Sequence, residues 1–431
     1  MSYDRIYLNN IDMKGYENLS DTLSVKDILN NNEYKLVQAI HFNFIIELDW
    51  LMSNANKTSR TVDTILVVDK NYKIIDSTLK KYPNVSVFYP NMPYSYGVHH
   101  SKMSIMSYEE GIIVYIYTAN MVPLDWNYAT QGIWKSPLLK INKNTVESGN
   151  LAWELAKYLK TYTFNPNPLD TIIDKISHCF LSDEKVKLIS SVPGIFHHEK
   201  WGLELVKSLL KEKKFDQKLL VAQVSSIGSL NVAGGNWIQS YFLKCFNTDC
   251  WDNFRLIYPS ETNIRFSICG YQSGIMFPYR HRVHQFQQYV QNLLYDWKSD
   301  RLNRTMFSPH AKTYVSFSDG NDPASINWFI LTSANLSKAA WGNIRTNSFK
   351  YQIRSYEIGV LIYPDLNKEP FDTLLYDIPL KKYSQDDQPW FSDTKHNSVN
   401  FTNIAKDCNQ WRLFGQNVTR AQHSTIETKH I

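Results

Sequence analysis

The sequence predicts an α/β protein built from two similar halves, each a sheet covered by helices. Three observations lead to this prediction. The chain of 431 residues is long for one hydrophobic core and suits two domains of roughly 200 residues each. Apolar strand patterns alternate with helical segments in both halves. A motif of histidine, lysine and asparagine occurs once in each half, in the same order relative to the predicted strands.

The elements of the first half follow from local patterns. Ser24 can cap a helix that begins at Val25, and Asp27 is placed to complete a capping box. The apolar stretch from Phe42 to Met52 predicts a second helix. Continuous apolar runs predict strands, and Glu109-Glu110-Gly111 predicts the turn of a hairpin. The predicted strands cover residues 64–68, 85–89, 102–106 and 112–117, and residues 172–189 predict a further helix and strand.

The second half repeats this order. Turn-forming residues from Ser190 to Gly194 predict a boundary, so we expect an N-terminal domain at 1–190 and a C-terminal domain at 191–431. Strands are predicted at residues 219–224, 313–317, 329–332 and 358–363, and a helix at 286–298. Both halves show strand, His-x-Lys, strand, turn, strand and Asn. This shared order indicates an internal duplication.

Composition argues against several classes of protein. The net charge of +5 is too small to indicate a nucleic-acid partner by itself. The five cysteines follow no zinc or redox spacing and suit reduced thiols in the cytosol or nucleus. The N-terminus has no signal-peptide core and no run is long enough to cross a bilayer, so we expect a soluble protein without a membrane partner. His197-His198-Glu199 lacks a third ligand at useful spacing, and we expect neither a metal nor a cofactor.

The motif shared by the two halves carries the candidate chemistry. His and Lys two residues apart face one side of an extended strand, and the following hairpin can return the Asn to them. If the two motifs converge, one imidazole can attack phosphorus and the other can protonate the leaving group, while the lysines hold the phosphoryl oxygens without a metal. His99 faces the opposite way and is expected to be structural. The first cassette is His100-Ser101-Lys102 with Asn120, and the second cassette is His310-Ala311-Lys312 with Asn335.

Longer stretches of the chain resemble a known family. Paired His-x-Lys motifs are similar to the phospholipase D superfamily, although Ser107 and Phe317 stand where its usual Asp follows the Lys. From about Lys26 to Trp390 the chain resembles the tyrosyl-DNA phosphodiesterase family of that superfamily. The matching strings are His99–Met103, Tyr108–Gly111, Thr130–Trp134, Thr332–Gly342 and Arg354–Val360.

The resemblance implies a fold and an activity. The implied fold is two α-β-α sandwich domains of phospholipase D type, related by pseudo-twofold symmetry, with the active site at their interface. The implied activity is DNA repair in the nucleus by a monomer that hydrolyses the bond between a DNA 3′ phosphate and a tyrosine of stalled topoisomerase I. His100 matches the nucleophile that forms a phosphohistidine, and His310 matches the acid and base. Gln131 and Glu357 match residues that orient the opposite imidazoles in place of the missing Asp, with purely structural roles as the alternative.

The resemblance also implies residues that hold the substrate. Tyr96 matches an aromatic residue of a groove for single-stranded DNA, with simple packing as the alternative. Four serines match phosphate contacts, with turn and capping roles as the alternative. Three further residues match positions that meet the tyrosine-bearing peptide, and one of them, Trp390, could instead seal the core. The serines are Ser225, Ser226, Ser229 and Ser337, and the peptide-side residues are Phe44, Pro278 and Trp390.

Two other functions share some of these features. A phospholipase or broad-specificity nuclease should carry the Asp signature, and a lipid enzyme should also show an interfacial apolar or basic segment, which the sequence lacks. A binding module that kept only the fold should have lost a cassette residue, whereas all six residues are present. The sequence therefore favours a DNA-repair phosphodiesterase.

Overall fold

The structure of the protein, a computed structural model, is built around two large β-sheets packed with helices. None of the helices in the part of the chain that the structure describes is long and apolar enough to cross a membrane. The described residues are 5–11, 13, 16, 21–141, 150–179, 185–197, 200–211, 213, 215–230, 235–248, 251–345, 350–364 and 374–396.

The first sheet has nine strands, and the hairpin that follows the first cassette lies at its centre. The strand Leu139–Lys140 pairs beside the start of Gly111–Tyr117. The order across the rest of the sheet is Thr22–Leu23, Ile6–Asn9, Gly132–Lys135, Gly111–Tyr117, Met103–Tyr108, Leu36–Asn43, Asp63–Val68 and Val85–Phe88.

The second sheet has seven strands, and the hairpin that follows the second cassette lies at its centre. Its order is Val186–Ser191, Glu357–Ile362, Ile326–Thr332, Thr313–Phe317, Leu219–Gln223, Phe254–Ile257 and Leu294–Tyr295. Two small sheets complete the strands, one of Gly194–Phe196, Tyr351–Ile353 and Asn343–Ile344, and one of Ser308–Pro309 with Ala129–Thr130.

The two large sheets follow one plan. In each sheet four antiparallel strands are followed by two parallel strands, and the chain visits corresponding strands in the same order. One more antiparallel strand flanks each set, Ile6–Asn9 in the first sheet and Val186–Ser191 in the second. The duplication predicted from the cassettes is therefore confirmed in the topology. The predicted boundary after residue 190 falls inside Val186–Ser191, and the division of the chain at that point stays a prediction.

The helices cover the outer faces of both sheets and also pack between them. The α-helices are Val25–Leu29, Leu48–Asn54, Asp76–Leu79, Pro123–Tyr128, Leu151–Leu159, Asp170–Ser177, Gly202–Lys211, Leu243–Cys245, Glu261–Arg265, His281–His284 and Lys338–Trp341. One π-helical turn is Ile238–Phe242. The 3-10 helices are Ser59–Thr61, Lys70–Tyr72, Trp251–Asn253, Gly270–Met276 and Gln288–Leu293.

Alternating side chains divide the interior into separate cores. In strand Ile326–Thr332, Phe329 and Leu331 join the core shared by the two sheets, whereas Trp328 and Ile330 join the core under the second sheet's own helices. This alternation is the period of two that a strand buried on both faces requires. The shared core holds the two sheets together and so fixes the position of one cassette against the other.

Local sequence signals predict many of the elements correctly. Ser24 and Asp27 form the predicted capping box at the start of Val25–Leu29. The predicted strands at 64–68, 85–89, 112–117 and 313–317 are confirmed to within one or two residues, as is the hairpin turn at Glu109 and Glu110.

One predicted helix begins too early and a second is wrong, for a common reason. Residues 42 and 43 end the strand Leu36–Asn43, which pairs on both sides within the first sheet, and the helix begins only at Leu48. The predicted helix at 286–298 is instead the 3-10 helix Gln288–Leu293 followed by the strand Leu294–Tyr295, which pairs with Phe254–Ile257. In both segments, pairing with distant strands overrides the local apolar pattern.

Candidate active site

The two cassettes lie where the sheets meet, and each is bonded through its backbone to the opposite half. His100 N donates to Tyr356 O at 3.0 Å, and Ala311 N donates to Thr130 O at 3.0 Å. Tyr356 and Thr130 each come directly before a residue predicted to support a histidine. Main-chain hydrogen bonds therefore hold each cassette beside its predicted partner.

The two hairpins return the asparagines in the same way. Tyr117 N donates to Lys102 O at 3.1 Å, and Thr332 N donates to Lys312 O at 3.1 Å. These equivalent bonds close each hairpin against its lysine shortly before the chain reaches the Asn. The structure thus brings together all six cassette residues predicted from the sequence.

The side chain of His100 is held by a carboxylate from the other half. Its Nδ1 lies 2.9 Å from Glu357 Oε2, and Ser333 Oγ donates to the same carboxylate oxygen at 2.5 Å. The ring of Phe44 contacts the imidazole edge-on, with ring centroids 5.2 Å apart. With the proton on Nδ1 donated to Glu357, Nε2 keeps its lone pair for a reacting atom.

The side chain of His310 has two partners from the first half. Its Nδ1 lies 2.9 Å from Asp125 Oδ2 and 3.2 Å from Gln131 Nε2. Gln131 is itself oriented, because Thr118 Oγ1 donates to its amide oxygen at 2.7 Å and its amide nitrogen donates to the Asp125 carbonyl at 3.2 Å. Since that amide nitrogen is a donor, the carboxylate of Asp125 is the group that accepts the Nδ1 proton.

Asp125 is a functional candidate that the sequence reading missed. Its carboxylate accepts from Asn120 N at 2.5 Å as well as from His310, so one side chain links residues of both cassettes. Asp125 is 2% exposed on the helix Pro123–Tyr128, between the buried residues Leu124 and Trp126. An acidic residue flanked by apolar residues shortly after Asn120 was the available signal, since buried carboxylates are rare unless paired.

Both cassette lysines are fully buried. Each turns back on its own cassette, with Lys102 Nζ donating to His100 O at 3.2 Å and Lys312 Nζ donating to His310 O at 2.5 Å. Burial lowers the pKa of Lys102 to about 8, and burial beside Lys102 lowers the pKa of Lys312 well below its ordinary value. A negatively charged ligand would restore the protonated forms of both amines.

The imidazoles are held in their neutral forms. Burial lowers the pKa of His310 to about 4, although Asp125 opposes that shift. Burial also lowers the pKa of His100, against the opposing effect of Glu357. Burial would raise the pKa of the Asp125 carboxyl, but His310, the hydrogen bond from Asn120 N and the charge of Lys312 together outweigh this effect, and the net shift is downward. Near neutral pH the site therefore favours neutral imidazoles, with the Asp125 carboxylate ionised beside His310.

Asn335 is oriented by a loop that contains two of the predicted serines. Its Oδ1 accepts from Ser225 N at 3.0 Å, from Ser226 N at 2.9 Å and from Ser225 Oγ at 3.2 Å. These three donors identify Oδ1, so the amide NH₂ of Asn335 points elsewhere and can donate to a ligand. For Asn120, the side-chain oxygen has no hydrogen-bond partner within the described residues.

These residues together form a site for an anionic diester. Each histidine interacts electrostatically with the lysine of the other cassette, and each imidazole is hydrogen-bonded to a buried carboxylate. No group of three His, Cys, Asp or Glu side chains in the described ranges is placed to hold a metal ion.

Comparisons with known proteins identify the family of this chain. Residues 5–412 match the family model described as tyrosyl-DNA phosphodiesterase. The chain belongs to the tyrosyl-DNA phosphodiesterase family. A probable tyrosyl-DNA phosphodiesterase of Caenorhabditis elegans is 34% identical over 388 residues, which are 84% of this chain and 82% of that protein. Tyrosyl-DNA phosphodiesterase 1 of Arabidopsis thaliana is 31% identical over 364 residues, which are 79% of this chain and 59% of that protein.

A solved structure of the same family shows the same fold. The crystal structure of yeast tyrosyl-DNA phosphodiesterase has a TM-score of 0.73 to this chain at 21% identity, and covers 90% of this chain and 99% of its own. The predicted fold class, two phospholipase D-type halves related by pseudo-twofold symmetry, is confirmed. Membership of the tyrosyl-DNA phosphodiesterase family makes the chain a phosphoric diester hydrolase with a role in DNA repair.

Tyr96, the residue predicted to stack on DNA, lies at the surface of the protein. Its side chain is 86% exposed, which excludes packing in the core and leaves packing at a rim as the alternative to base stacking. Its backbone has φ of 63°, a left-handed conformation that is uncommon for a bulky residue. Base stacking by Tyr96 stays a prediction.

The predicted phosphate and peptide contacts differ in exposure. Ser229 is exposed, Ser226 is half-buried, and the buried Ser225 supports Asn335. Ser337 caps the helix Lys338–Trp341 through Ala340 N at 3.1 Å, in line with the capping alternative. Direct phosphate contact by the four serines stays a prediction.

On the peptide side, the three predicted residues have different surroundings. Phe44 packs on His100, and Pro278 is exposed. Trp390 is 5% exposed and donates through Nε1 to Gly274 O at 3.1 Å. This burial supports the core-sealing alternative for Trp390.

The positions of the missing signature Asp lie away from the supporting residues of the histidines. Ser107 and Phe317 lie near or at the far ends of their strands, about 16 Å along the chain from the lysines at 3.3 Å per residue. Ser107 accepts from Lys175 Nζ at 2.8 Å, and Phe317 is buried in the shared core. Glu357 and Gln131 contact the opposite histidines from other positions in the fold, as the prediction that they orient these imidazoles requires.

Asp125→Asn should lower kcat by about 10²–10⁴-fold, the range that general acid–base catalysis contributes. The substitution removes the carboxylate that accepts the Nδ1 proton of His310 while keeping the size of the side chain. The measurement is steady-state turnover of a tyrosyl-DNA oligonucleotide, with thermal unfolding as the check on folding. Asp174→Asn, at a side chain that is 80% exposed, is the control and should leave kcat unchanged. Unchanged kcat in Asp125→Asn would show that Gln131 alone positions the ring.

The value of kcat/KM should fall as the pH is raised through about 8, the pKa of Lys102 in the free site. Below that pH the lysine is a cation that attracts the phosphodiester, and above it the positive charge is lost. Because kcat/KM reports the groups of the free enzyme, a pH–rate profile at constant ionic strength measures this limb. A limb at about pH 10, the ordinary range of lysine, would contradict the assignment.

Proposed function

We propose that this protein hydrolyses the bond between a DNA 3′ phosphate and the tyrosine of a topoisomerase I-derived peptide, leaving a 3′ phosphate. The observation that carries the proposal is the reciprocal support of the histidines: His100 by Glu357 and His310 by Asp125, each pair joining opposite halves. This arrangement supplies two imidazoles with defined tautomers on either side of one anion site. A diester bound between them has a nucleophile on one side and a proton donor on the other.

The first chemical step forms a covalent intermediate on His100. Its neutral Nε2 attacks phosphorus in line, a P–N bond forms, and the bond from phosphorus to the tyrosine oxygen breaks. The electron pair leaves with the phenolic oxygen, which takes a proton from His310. Lys102 and Lys312, together with the amides of Asn120 and Asn335, donate to the phosphoryl oxygens as charge develops on them.

The second step returns the enzyme to its starting state. His310, now neutral, takes a proton from a water molecule as that water attacks phosphorus. The P–N bond to His100 breaks, and the DNA leaves with a 3′ phosphate. The low pKa of His310 in the free site, about 4, suits this role as a base. Binding of the negatively charged diester raises that pKa, which favours the protonated form that the first step needs.

The DNA and the peptide would occupy opposite sides of this centre. Tyr96 would stack on a base of a single-stranded or frayed 3′ end, and the serines would contact the phosphates. Phe44, next to His100, would meet the tyrosine-bearing peptide. We propose that the protein works as a monomer in the nucleus, where topoisomerase adducts on DNA arise.

The purified protein should convert a single-stranded oligonucleotide with a 3′ phosphotyrosine to the 3′-phosphate product in excess EDTA. The physical reason is that two lysines supply the positive charge at the phosphoryl group. Gel electrophoresis against a synthetic 3′-phosphate standard measures the product. A 3′-hydroxyl oligonucleotide is the control and should stay unchanged. Activity that is lost in EDTA and returns with magnesium would contradict the metal-free mechanism.

Substitution of each histidine should separate the two steps. His100→Ala removes the nucleophile, so turnover should be lost without a covalent species. His310→Ala keeps the nucleophile, and a phenol with a pKa near ~10 can still leave slowly. Since the base for the second step is then missing, a DNA-linked protein band should accumulate on denaturing gels. A band with His100→Ala and none with His310→Ala would mean that the two histidines have the opposite roles. Slow turnover without a band in either variant would favour direct attack by water.

A further inference from the structure

Asn9, the last residue of strand Ile6–Asn9, is a fully buried polar residue that the proposed reaction does not use. Its side-chain nitrogen donates to Trp126 O at 2.7 Å and to Ala129 O at 2.9 Å. Its side-chain oxygen accepts from Gln131 N at 2.9 Å. Because a carbonyl group only accepts and a backbone N–H only donates, these partners fix the orientation of the Asn9 amide. The nitrogen and the oxygen of this amide are therefore both engaged by main-chain groups.

The partners of Asn9 belong to the two elements that support His310. Trp126 follows Asp125 on the same helix, and its carbonyl is among those that the end of a helix leaves without a partner inside the helix. Gln131 contacts His310 through its side chain and is held by Asn9 at its backbone. Asn9 N also donates to Gln131 O at 3.3 Å. One residue thus ties the helix that carries Asp125 to the segment that carries Gln131.

The second half of the chain reaches Asn9 as well. Arg304 is buried, and its Nη2 donates to Asn9 O at 2.8 Å. Further along the same segment, Phe307 O accepts from Thr130 Oγ1 at 3.0 Å. This segment leads directly into His310. Asn9 therefore lies where the segment that carries His310 meets the residues that orient its ring.

We propose that Asn9 is a positioning residue that holds Asp125 and Gln131 at hydrogen-bond distance from His310 Nδ1. Its effect on the reaction passes through the contacts of those two residues with the ring, at 2.9 Å and 3.2 Å. Without the Asn9 side chain, three buried main-chain groups lose their partners. Because leaving such groups unpaired is costly, the end of the helix and the backbone of Gln131 should shift. The inference rests on the proposed role of His310 as acid and base.

Asn9→Leu tests the proposal, since leucine has the same branched shape but makes none of the three hydrogen bonds. The kcat for an oligonucleotide with a 3′ phosphotyrosine should fall by about 10–10²-fold, the effect of a displaced catalytic group, and KM should not rise. A DNA-linked protein band should appear on denaturing gels, because the second step depends on His310 more than the first. A purely structural role would lower thermal stability without such a band. Asn10→Ala, at an exposed neighbour, is the matched control and should behave like the parent protein.

Asn9→Thr covers the case in which Asn9→Leu does not fold. Threonine suits a strand, but its hydroxyl has a single hydrogen to donate and cannot hold both carbonyl groups. Since at least one hydrogen bond is lost, kcat should fall by about 3–10-fold, and the same band should appear more weakly.

Proton NMR of the intact protein gives a readout that does not depend on the reaction. The Nδ1 proton that His310 donates to Asp125 is identified by its absence in His310→Ala, and its resonance should shift or broaden in the Asn9 variants. The proposal is overturned if either this resonance or kcat is unchanged in a folded Asn9 variant. If no band forms even in His310→Ala, the proposed covalent reaction fails. The resonance then decides the role of Asn9 by itself, a shift supporting it and an unchanged signal overturning it.

Discussion

The exchange of support between the two halves is the constraint on which the site depends. Each cassette is hydrogen-bonded through its backbone to a segment of the other half, and each histidine takes its carboxylate partner from that half. Neither half alone contains a cassette histidine together with its carboxylate partner. The shared core between the sheets is therefore part of the catalytic apparatus, because any shift of one sheet against the other would separate His100 from Glu357 and His310 from Asp125.

Charge balance is the second requirement of this arrangement. Two lysines and two carboxylates are buried close together in space at this site. Any one of these charges would be strongly destabilising if it were buried without the others. The opposite charges offset one another only in part, since burial still lowers the pKa of both lysines and of both histidines. The free site is thus short of negative charge. A bound phosphodiester supplies this negative charge. The unfavourable electrostatics of the free site therefore favour the binding of an anion.

The sequence was informative where local pattern and chemistry coincide. The cassettes and their hairpins were predictable because His-x-Lys, a turn and a returning strand are adjacent in the chain. The segments at residues 42–43 and 286–298 were not, since long-range strand pairing decides their conformation. Asp125 was missed because a single acid in an apolar helix has no distinctive spacing. Glu357 and Gln131 were found only through resemblance to a family, as each lies far along the chain from the histidine it contacts.

The matching strand order of the two sheets has a consequence for how the site could become asymmetric. The Thr118 hydroxyl donates a hydrogen bond to the Gln131 side chain, and the Ser333 hydroxyl donates one to the Glu357 side chain. The amide of Gln131 and the carboxylate of Glu357 therefore occupy equivalent places in the two halves. A symmetric dimer of a single half would give both histidines identical surroundings. With both halves in one chain, each position can be altered separately. His100 is supported by a glutamate, whereas His310 is supported by a glutamine together with Asp125. These different surroundings let two residues of the same type take different parts in one reaction.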